Sequence, residues 1–228
     1  MNRVAENLRI INENIARAAK KSGRKAEDVT LIAVTKSVSP QELKNELETL
    51  LAAGVNHFGE NRVQDLIAKQ EHLSNDGVTW HMIGHLQRNK VRNVVGNVAL
   101  IHSVDSLKLA QEISRIAVRE DVVADVLIEI NIGDEDSKHG IEAADVMALA
   151  AEIKELPNIA IKGLMAIAPF VDDGEENRPY FKEMARMARE MAAAGYDVQY
   201  LSMGMTIDYE VAIEEGATMV RIGTAVFA

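Results

Sequence analysis

The sequence predicts a single (β/α)8 TIM barrel, an α/β fold, with one extra helix at its N-terminus. Eight β-rich segments alternate with segments of helical periodicity along 228 residues. Such alternation implies parallel strands joined by right-handed crossovers. Eight units suit a barrel, for which about 250 residues is typical, better than an open doubly wound sheet. The Rossmann-like alternative is further weakened because no G-x-G-x-x-G motif follows the first strand.

The first half of the chain begins with an amphipathic helix. Its apolar residues recur on one face, at Val4, Leu8, Ile11, Ile15 and Ala18. The β-rich segment VTLIAVT (29–35) is the first strand, and Ser39 and Pro40 suit the N-cap and first turn of the next helix. Further strands are predicted at 55–59, 79–84 and 98–104. The helices between them are predicted from Glu60, around 89–95, and at Leu109, Ile113 and Ile116.

The second half repeats this alternation. Strands are predicted at 124–132, 159–167, 198–203 and 218–224. Helices are predicted at 143–156, in a methionine-rich segment with Phe181, Met184, Ala188 and Met191 on one face, and near 208–215. No linker, low-complexity segment or shift of composition interrupts the chain. We therefore expect one domain over residues 1–228.

Composition narrows the possible partners and the compartment. The formal net charge is −10, and an acidic protein repels phosphate backbones and anionic lipid, so we expect neither nucleic acid nor membrane as a partner. The chain has no cysteine, which excludes disulfides, thiolate metal sites and cysteine nucleophiles. No apolar run approaches the roughly 20 residues of a membrane span, and the first helix lacks a signal-peptide core. A cytoplasmic monomer is the expectation.

Polar residues and glycines gather where the predicted strands end, and barrels form their active sites at these carboxyl ends. Ser202 and Gly204 lie at the end of the seventh predicted strand, and Gly223 and Thr224 at the end of the eighth. Barrels often bind phosphate in these two loops. Glycine lets backbone N–H groups approach an anion, and hydroxyls donate further hydrogen bonds. We therefore predict a phosphate site there.

A lysine that faces this phosphate site suggests an imine. Lys36 directly follows the apolar and β-branched run LIAVT, although a lysine is costly to bury. Lysine amines form Schiff bases with carbonyl compounds, and pyridoxal 5′-phosphate (PLP) supplies both an aldehyde and a phosphate. Lys162 is a rival inside the sixth strand, but four further strand residues follow it, so we interpret it as structural.

Two histidines raise the possibility of a metal site. His81 and His85 are four residues apart, as in a helical zinc site. The segment HMIGH, however, is typical of a strand and a glycine turn, so the two rings would not share a helical face. It also lacks the glutamate of H-E-x-x-H. We expect no metal.

Eight segments resemble, in order and spacing, the YggS/PROSC family of pyridoxal phosphate homeostasis proteins. They are AVTK, FGENRVQD, WHMIGHLQRNK, HSVDS, INIGDEDSKHG, KGLMAI, LSMGM and TMVRIGTAVF. They extend over nearly the whole chain, and their joint occurrence is specific. The resemblance implies a fold like the barrel domain of bacterial alanine racemase, without the C-terminal β-domain of that enzyme.

The resemblance also implies roles for particular residues. Lys36 would hold PLP as an internal aldimine, Ser202 with the backbone of Gly223 and Thr224 would bind its phosphate, and Arg221 would face the pyridine nitrogen. Four residues fall in motifs that border the cofactor: Asn56, Asn61, His81 and Met165.

Two classes of function remain open. A carrier would hold, buffer or deliver PLP, with apo PLP-dependent enzymes as partners, whereas a racemase would turn over amino acids. Racemisation needs a proton acceptor on each face of the substrate carbon. In alanine racemase the second is a tyrosine from the β-domain, and only Tyr209 lies near the predicted mouth of this barrel. Arg221 beside the ring nitrogen would also weaken the ring as an electron sink. We therefore expect a carrier without substantial turnover. A Schiff-base aldolase acting on a phosphosugar is the third possibility.

Overall fold

The eight strands form one closed parallel barrel in neighbouring order, with β1 paired to β8. The computed structural model describes residues 2–73, 77–133 and 139–228, so part of the INIGDEDSKHG segment lies outside the described residues. The strands are β1 (Thr30–Val34), β2 (His57–Glu60), β3 (Thr79–Met82), β4 (Leu100–Val104), β5 (Ala124–Ile130), β6 (Ile159–Ala166), β7 (Tyr200–Ser202) and β8 (Met219–Ile222). The predicted TIM barrel is confirmed.

Helices surround the barrel. They are α1 (Arg3–Lys21), α2 (Pro40–Ala52), α3 (Val63–His72), α4 (Leu107–Arg119), α5 (Val146–Lys154), α6 (Arg178–Ala193), α7 (Tyr209–Glu214) and α8 (Thr224–Phe227). The extra helix α1 buries its predicted apolar face and packs against α2, α7 and α8. Among the described helices, none combines the length and the apolarity needed to cross a bilayer.

Helix α2 begins where its capping residues predict. The Ser39 hydroxyl accepts a hydrogen bond from the Glu42 backbone N–H, and the Glu42 carboxylate accepts one from the Ser39 N–H. This capping box satisfies two N–H groups that the helix itself leaves free, and Pro40 occupies the first turn. Only the five residues 35–39 therefore connect β1 to α2, and Lys36 lies in this short turn.

Some predicted boundaries are wrong. Glu60 does not begin a helix, because it extends the pairing of β2 with β3, opposite Met82, and α3 begins only at Val63. The predicted helix at 89–95 is the 3-10 helix Arg88–Asn93, and the one at 143–156 starts with a 3-10 turn before α5. Each strand prediction contains or overlaps its observed strand.

The barrel interior is partly apolar and partly polar. Alternate residues of each strand point inward, and an inner apolar cluster consists of Ile32, Leu100, Leu127, Met165 and Met219. Other inward positions carry buried histidine, serine and arginine side chains. A polar group buried in a barrel needs hydrogen-bond partners, and these inward side chains supply them to one another.

Candidate functional site

Most of the predicted residues lie at the mouth, defined as the end of the barrel where the carboxyl ends of the strands meet. Lys36 lies in the turn after β1, and Asn61 directly follows β2. Met165 on β6 is paired with Ser202 on β7. Arg221 lies on β8, and Gly223 and Thr224 follow it. Because β1 and β8 are neighbours, the lysine turn and the β8 turn are adjacent.

Lys36 is exposed, which answers why an interior strand precedes a lysine. Strand β1 ends at Val34, Thr35 is fully buried, and the chain then turns so that Lys36 faces solvent. Within the described ranges, the Lys36 side chain makes no hydrogen bond or ion pair. Its amine is therefore free to react with a carbonyl compound that enters the mouth.

A different lysine is buried directly behind this turn. Lys69 on α3 donates to the Thr35 carbonyl at 2.6 Å and forms an ion pair with Glu60, which also accepts from the Thr35 hydroxyl. The side chains of Lys69 and Glu60 are 3% and 0% exposed. Sequence reasoning missed this cluster, although Lys69 lies three residues after the buried Leu66 on the inward face of α3. The cluster fixes the carbonyl that precedes Lys36.

Ser202 and Arg221 form a buried polar pair beside the mouth. Arg221 Nη1 donates to Ser202 Oγ at 2.6 Å, and Nη2 donates to the Ala166 carbonyl at 2.9 Å. Burial lowers the pKa of Arg221 to about 10, while Glu129 and Asp208 oppose this shift. The guanidinium thus stays charged near neutral pH and is held in a fixed orientation by two acceptors.

The turn after β8 presents backbone donors. In the part of the chain that the structure describes, the N–H groups of Gly223 and Thr224 donate to no other protein group. A Cβ on Gly223 would lie 3.0 Å from the Val34 carbonyl oxygen, so glycine allows this turn to lie close to β1. Free backbone N–H groups at a tight turn are suited to an anion. They fit the phosphate that the sequence predicts.

Gly204 has a structural reason to be glycine. Its φ is +92°, and a Cβ there would lie 2.5 Å from the Ala212 Cβ and 2.9 Å from the Tyr209 Cα. A side chain would therefore be strained by the backbone and would clash with α7. This close packing sets the direction of the chain after Ser202.

His81 lies within the barrel, where histidines occupy both of its ring nitrogens. His81 Nε2 is 2.9 Å from His57 Nδ1, and His81 Nδ1 is 3.0 Å from His102 Nε2. His102 Nδ1 is in turn 3.0 Å from Ser202 Oγ. His81 therefore reaches the mouth only through His102. The sequence offered a signal for His57 and His102. Each lies two positions from another inward residue of its strand and therefore faces the barrel interior as well.

Asn56 is a prediction that the geometry does not support. It precedes β2, at the amino end of the barrel, where its carbonyl accepts from the Thr79 N–H. A residue there is separated from the mouth by the length of the strand. Lys162 fits its structural interpretation, because it donates to Asp197 at 2.8 Å and this bond raises its pKa.

Glu129 adds a second ionisable group to the interior. Burial and, to a smaller extent, Asp105 raise its pKa against the opposing effect of Arg221, to about 7. Its Oε2 atom has no hydrogen-bond partner among the described groups. Sequence reasoning missed Glu129, although it lies two residues after the inward Leu127 on β5 and therefore on the same face of that strand. Near neutral pH this carboxyl is present in both protonation states.

The histidines at the rim differ from the pair that the sequence suggested. His81 is buried inside the barrel and His85 is exposed, so they do not share a face. Ligand-type atoms of His85, Asp105 and His139 lie within 4.8 Å of one another. The rings of His85 and His139 are stacked, with centroids 3.9 Å apart and 12° between their planes. Stacked rings direct their lone pairs side by side and not at one point. The expected absence of metal stays a prediction.

Comparisons with known proteins extend over the whole barrel. A family profile described as "Alanine racemase, N-terminal domain" matches residues 7–228. The pyridoxal phosphate homeostasis protein of Aquifex aeolicus is 42% identical over 224 residues, 97% of this chain and 96% of that one. Its Escherichia coli namesake is 41% identical over 238 residues, 100% and 97% of the two chains. The structure of PipY from Synechococcus elongatus with PLP bound is 34% identical, with a TM-score of 0.84 over 99% of this chain and 100% of that one.

Proposed function

This chain belongs to the alanine racemase N-terminal domain family and, within it, to the pyridoxal phosphate homeostasis proteins, and we propose that it holds, buffers or delivers PLP through a Schiff base at Lys36. One observation carries this proposal. The free amine of Lys36 and the unengaged N–H groups of Gly223 and Thr224 lie on adjacent turns. One small molecule with an aldehyde and a phosphate matches both features, and the PLP-bound relative supports the choice.

The other mouth residues have supporting roles in this proposal. PLP, when bound, supplies an electrophilic aldehyde and a ring that can withdraw electrons. Ser202 would add a hydroxyl donor to the phosphate site, and Arg221 would present its fixed guanidinium to the pyridine nitrogen. Asn61 and Met165 would border the ring. Gly204 would shape the turn that carries Ser202.

The proposal extends to the setting in which the protein acts. We place it in the cytoplasm as a monomeric single-domain protein, with apo PLP-dependent enzymes as the recipients of its cofactor. Its formal net charge of −10 disfavours nucleic acid and membrane surfaces as partners. Transfer of PLP from the loaded protein to an apo-enzyme, faster than release into buffer, is the measurement that would identify a recipient.

We expect a visible absorbance band in the PLP-loaded protein, which borohydride reduction removes while fixing a pyridoxyl group on Lys36. The reason is that Lys36 is the mouth lysine with no competing partner in the described chain. Peptide mass mapping reads out the site, and Lys36→Ala is the control that should fold but carry no label. A label on Lys162, or none on the wild-type protein, contradicts the proposal.

A racemase-type activity is the alternative, and one contact disfavours it. The Tyr209 hydroxyl accepts a hydrogen bond from Asn14 Nδ2 at 2.8 Å beneath α1, and only 6% of the residue is exposed. Burial also raises the pKa of Tyr209, so even less of the phenolate that would accept a proton is present near neutral pH. The tyrosine that sequence reasoning favours as the second base is thus engaged outside the mouth.

We therefore expect no substantial amino-acid turnover. When alanine or serine is added to the PLP-loaded protein in D₂O, its α-proton should exchange at close to the rate observed with free PLP alone. Arg221→Glu should raise this exchange if PLP still binds, since an acid beside the pyridine nitrogen favours its protonation and strengthens the electron sink. Proton exchange is measured by NMR. Wild-type turnover on the order of 1 s⁻¹ or faster would restore the enzyme interpretation.

A further inference from the structure

Three histidines and Ser202 form a continuous hydrogen-bonded chain through the barrel interior. His57 Nδ1 is 2.9 Å from His81 Nε2, and His81 Nδ1 is 3.0 Å from His102 Nε2. His102 Nδ1 is 3.0 Å from Ser202 Oγ. We call these four residues the imidazole chain. It crosses from β2 through β3 and β4 to β7 and ends at the hydroxyl that we place in the phosphate site.

The two ends of the imidazole chain lie on strands that are not neighbours in the barrel. Ser202 is the last residue of β7, whereas His57 is the first residue of β2. His57 is half-buried and lines a cavity of about 270 Å³ together with Thr30 and Asn56. His81 and His102 are 1% and 0% exposed. Water can therefore reach the imidazole chain at His57, while its middle is enclosed by protein.

The enclosed rings are neutral. Burial and, to a smaller extent, the neighbouring His57 lower the pKa of His81 to about 3. Burial likewise holds the pKa of His102 well below its ordinary value, with His81 and Arg221 adding to the effect. Arg221 is the charged group that contacts the imidazole chain, through its hydrogen bond to Ser202. Glu129 and Asp208 in turn raise the pKa of Arg221 against the effect of burial. A neutral ring that donates at Nδ1 accepts at Nε2. The direction of one hydrogen bond thus fixes the direction of the next.

Only two arrangements satisfy every bond. In the first, all three rings carry their proton on Nδ1, and His102 donates to Ser202 Oγ. Because Arg221 also donates to this oxygen, both lone pairs are used and the O–H is free to donate into the mouth. In the second, all three rings carry their proton on Nε2, and the Ser202 O–H donates to His102. The hydroxyl then has no proton to offer an anion.

We propose that His57, His81 and His102 are positioning residues that couple phosphate binding at Ser202 to a concerted tautomer shift, with a proton released at His57. The inference rests on the proposed phosphate site but not on the Schiff base. A bound phosphate needs a donor and selects the Nδ1-protonated arrangement.

The proton shift balances when it starts from the Nε2-protonated arrangement. The Ser202 O–H proton passes to His102 Nδ1, and the His102 Nε2 proton passes to His81 Nδ1. The His81 Nε2 proton passes to His57 Nδ1, and His57 releases its Nε2 proton to water. Ser202 Oγ takes the acidic proton of a phosphate monoanion, which remains as a dianion that accepts the Ser202 O–H. The net change is one proton moved from the phosphate to water at His57.

Nitrogen-15 NMR with inorganic phosphate as the probe tests the tautomers directly, because the Nδ1 and Nε2 shifts distinguish a protonated from an unprotonated nitrogen. We expect the three rings to change together from Nε2–H to Nδ1–H as phosphate is added. No change, a change confined to His102, or no phosphate binding would overturn the proposal. Inorganic phosphate forms no imine, so this result is independent of whether Lys36 binds PLP covalently.

A variant at the far end provides the functional test. His57→Phe interrupts the imidazole chain three hydrogen bonds from Ser202. His72→Phe is the matched control, since His72 is exposed and its side chain hydrogen-bonds only to Gln41 in the described part of the protein. We expect His57→Phe to lower the ratio of the pyridoxal Kd to the PLP Kd by about fivefold or more, with pyridoxal affinity unchanged. The control should keep the wild-type ratio. An unchanged ratio of the two Kd values in His57→Phe would show that the imidazole chain does not affect phosphate binding, and would overturn the proposal.

Discussion

Pyridoxal, which has the aldehyde but not the phosphate ester, should bind this protein at least about a hundredfold more weakly than PLP. Hydrogen bonds to a charged group contribute roughly 1.5–3 kcal/mol each, and two or more would be lost. The donors that the structure offers are the N–H groups of Gly223 and Thr224 and the hydroxyl of Ser202. Titration of the imine absorbance at equilibrium measures both affinities.

Ser202→Ala is the matched variant for this prediction. It removes one donor and leaves the backbone donors in place, so PLP should lose roughly 1.5–3 kcal/mol of binding free energy while pyridoxal loses little. Inorganic phosphate should compete with PLP but not with pyridoxal. Equal affinities for PLP and pyridoxal would show that the turns after β7 and β8 do not bind the phosphate. This conclusion would hold whether or not Lys36 forms the imine.

The sequence predicts the barrel well because its pattern is repeated many times. Each strand and helix adds its own periodic signal, and an error of two residues at one boundary leaves the order unchanged. The signals of Ser39 as N-cap and Pro40 in the first turn are local in sequence, so the start of α2 and the short turn that carries Lys36 are predicted as well. Strand ends then bring Lys36 close to the turn after β8.

The parts that sequence reasoning missed depend on single contacts between distant elements. Lys69 differs from a surface lysine only because Glu60 lies against it, and the sequence pattern predicts a helix start at Glu60. Asn56 enters the predicted site only as part of a motif, and the observed start of β2 places it at the opposite end. Partners such as His102 and Ser202, 100 positions apart, follow from barrel closure and register. Periodicity shows that these residues point inward but not what each one contacts.

We expect Lys69→Met to destabilise the fold far more than the same substitution at Lys36. It would leave Glu60 buried without its cation, and Glu60 Oε2 already has no described partner. Breaking a buried ion pair by removing one member costs about 3–5 kcal/mol. Urea unfolding at constant m measures the loss of unfolding free energy. Lys36→Met is the neighbouring control, and because Lys36 is exposed its cost should stay within about 0.5 kcal/mol.

The double variant Glu60→Leu, Lys69→Met separates charge burial from packing. Two apolar side chains of similar volume remove both charges, so most of the stability lost in Lys69→Met should return. The Thr35 carbonyl would still lack its Lys69 donor, so the turn before Lys36 should remain less ordered and imine formation slower than in the wild type. A double variant as unstable as the sum of the two single variants would contradict this account. Recovery of stability without recovery of the imine rate would show that the buried pair also positions the reactive lysine.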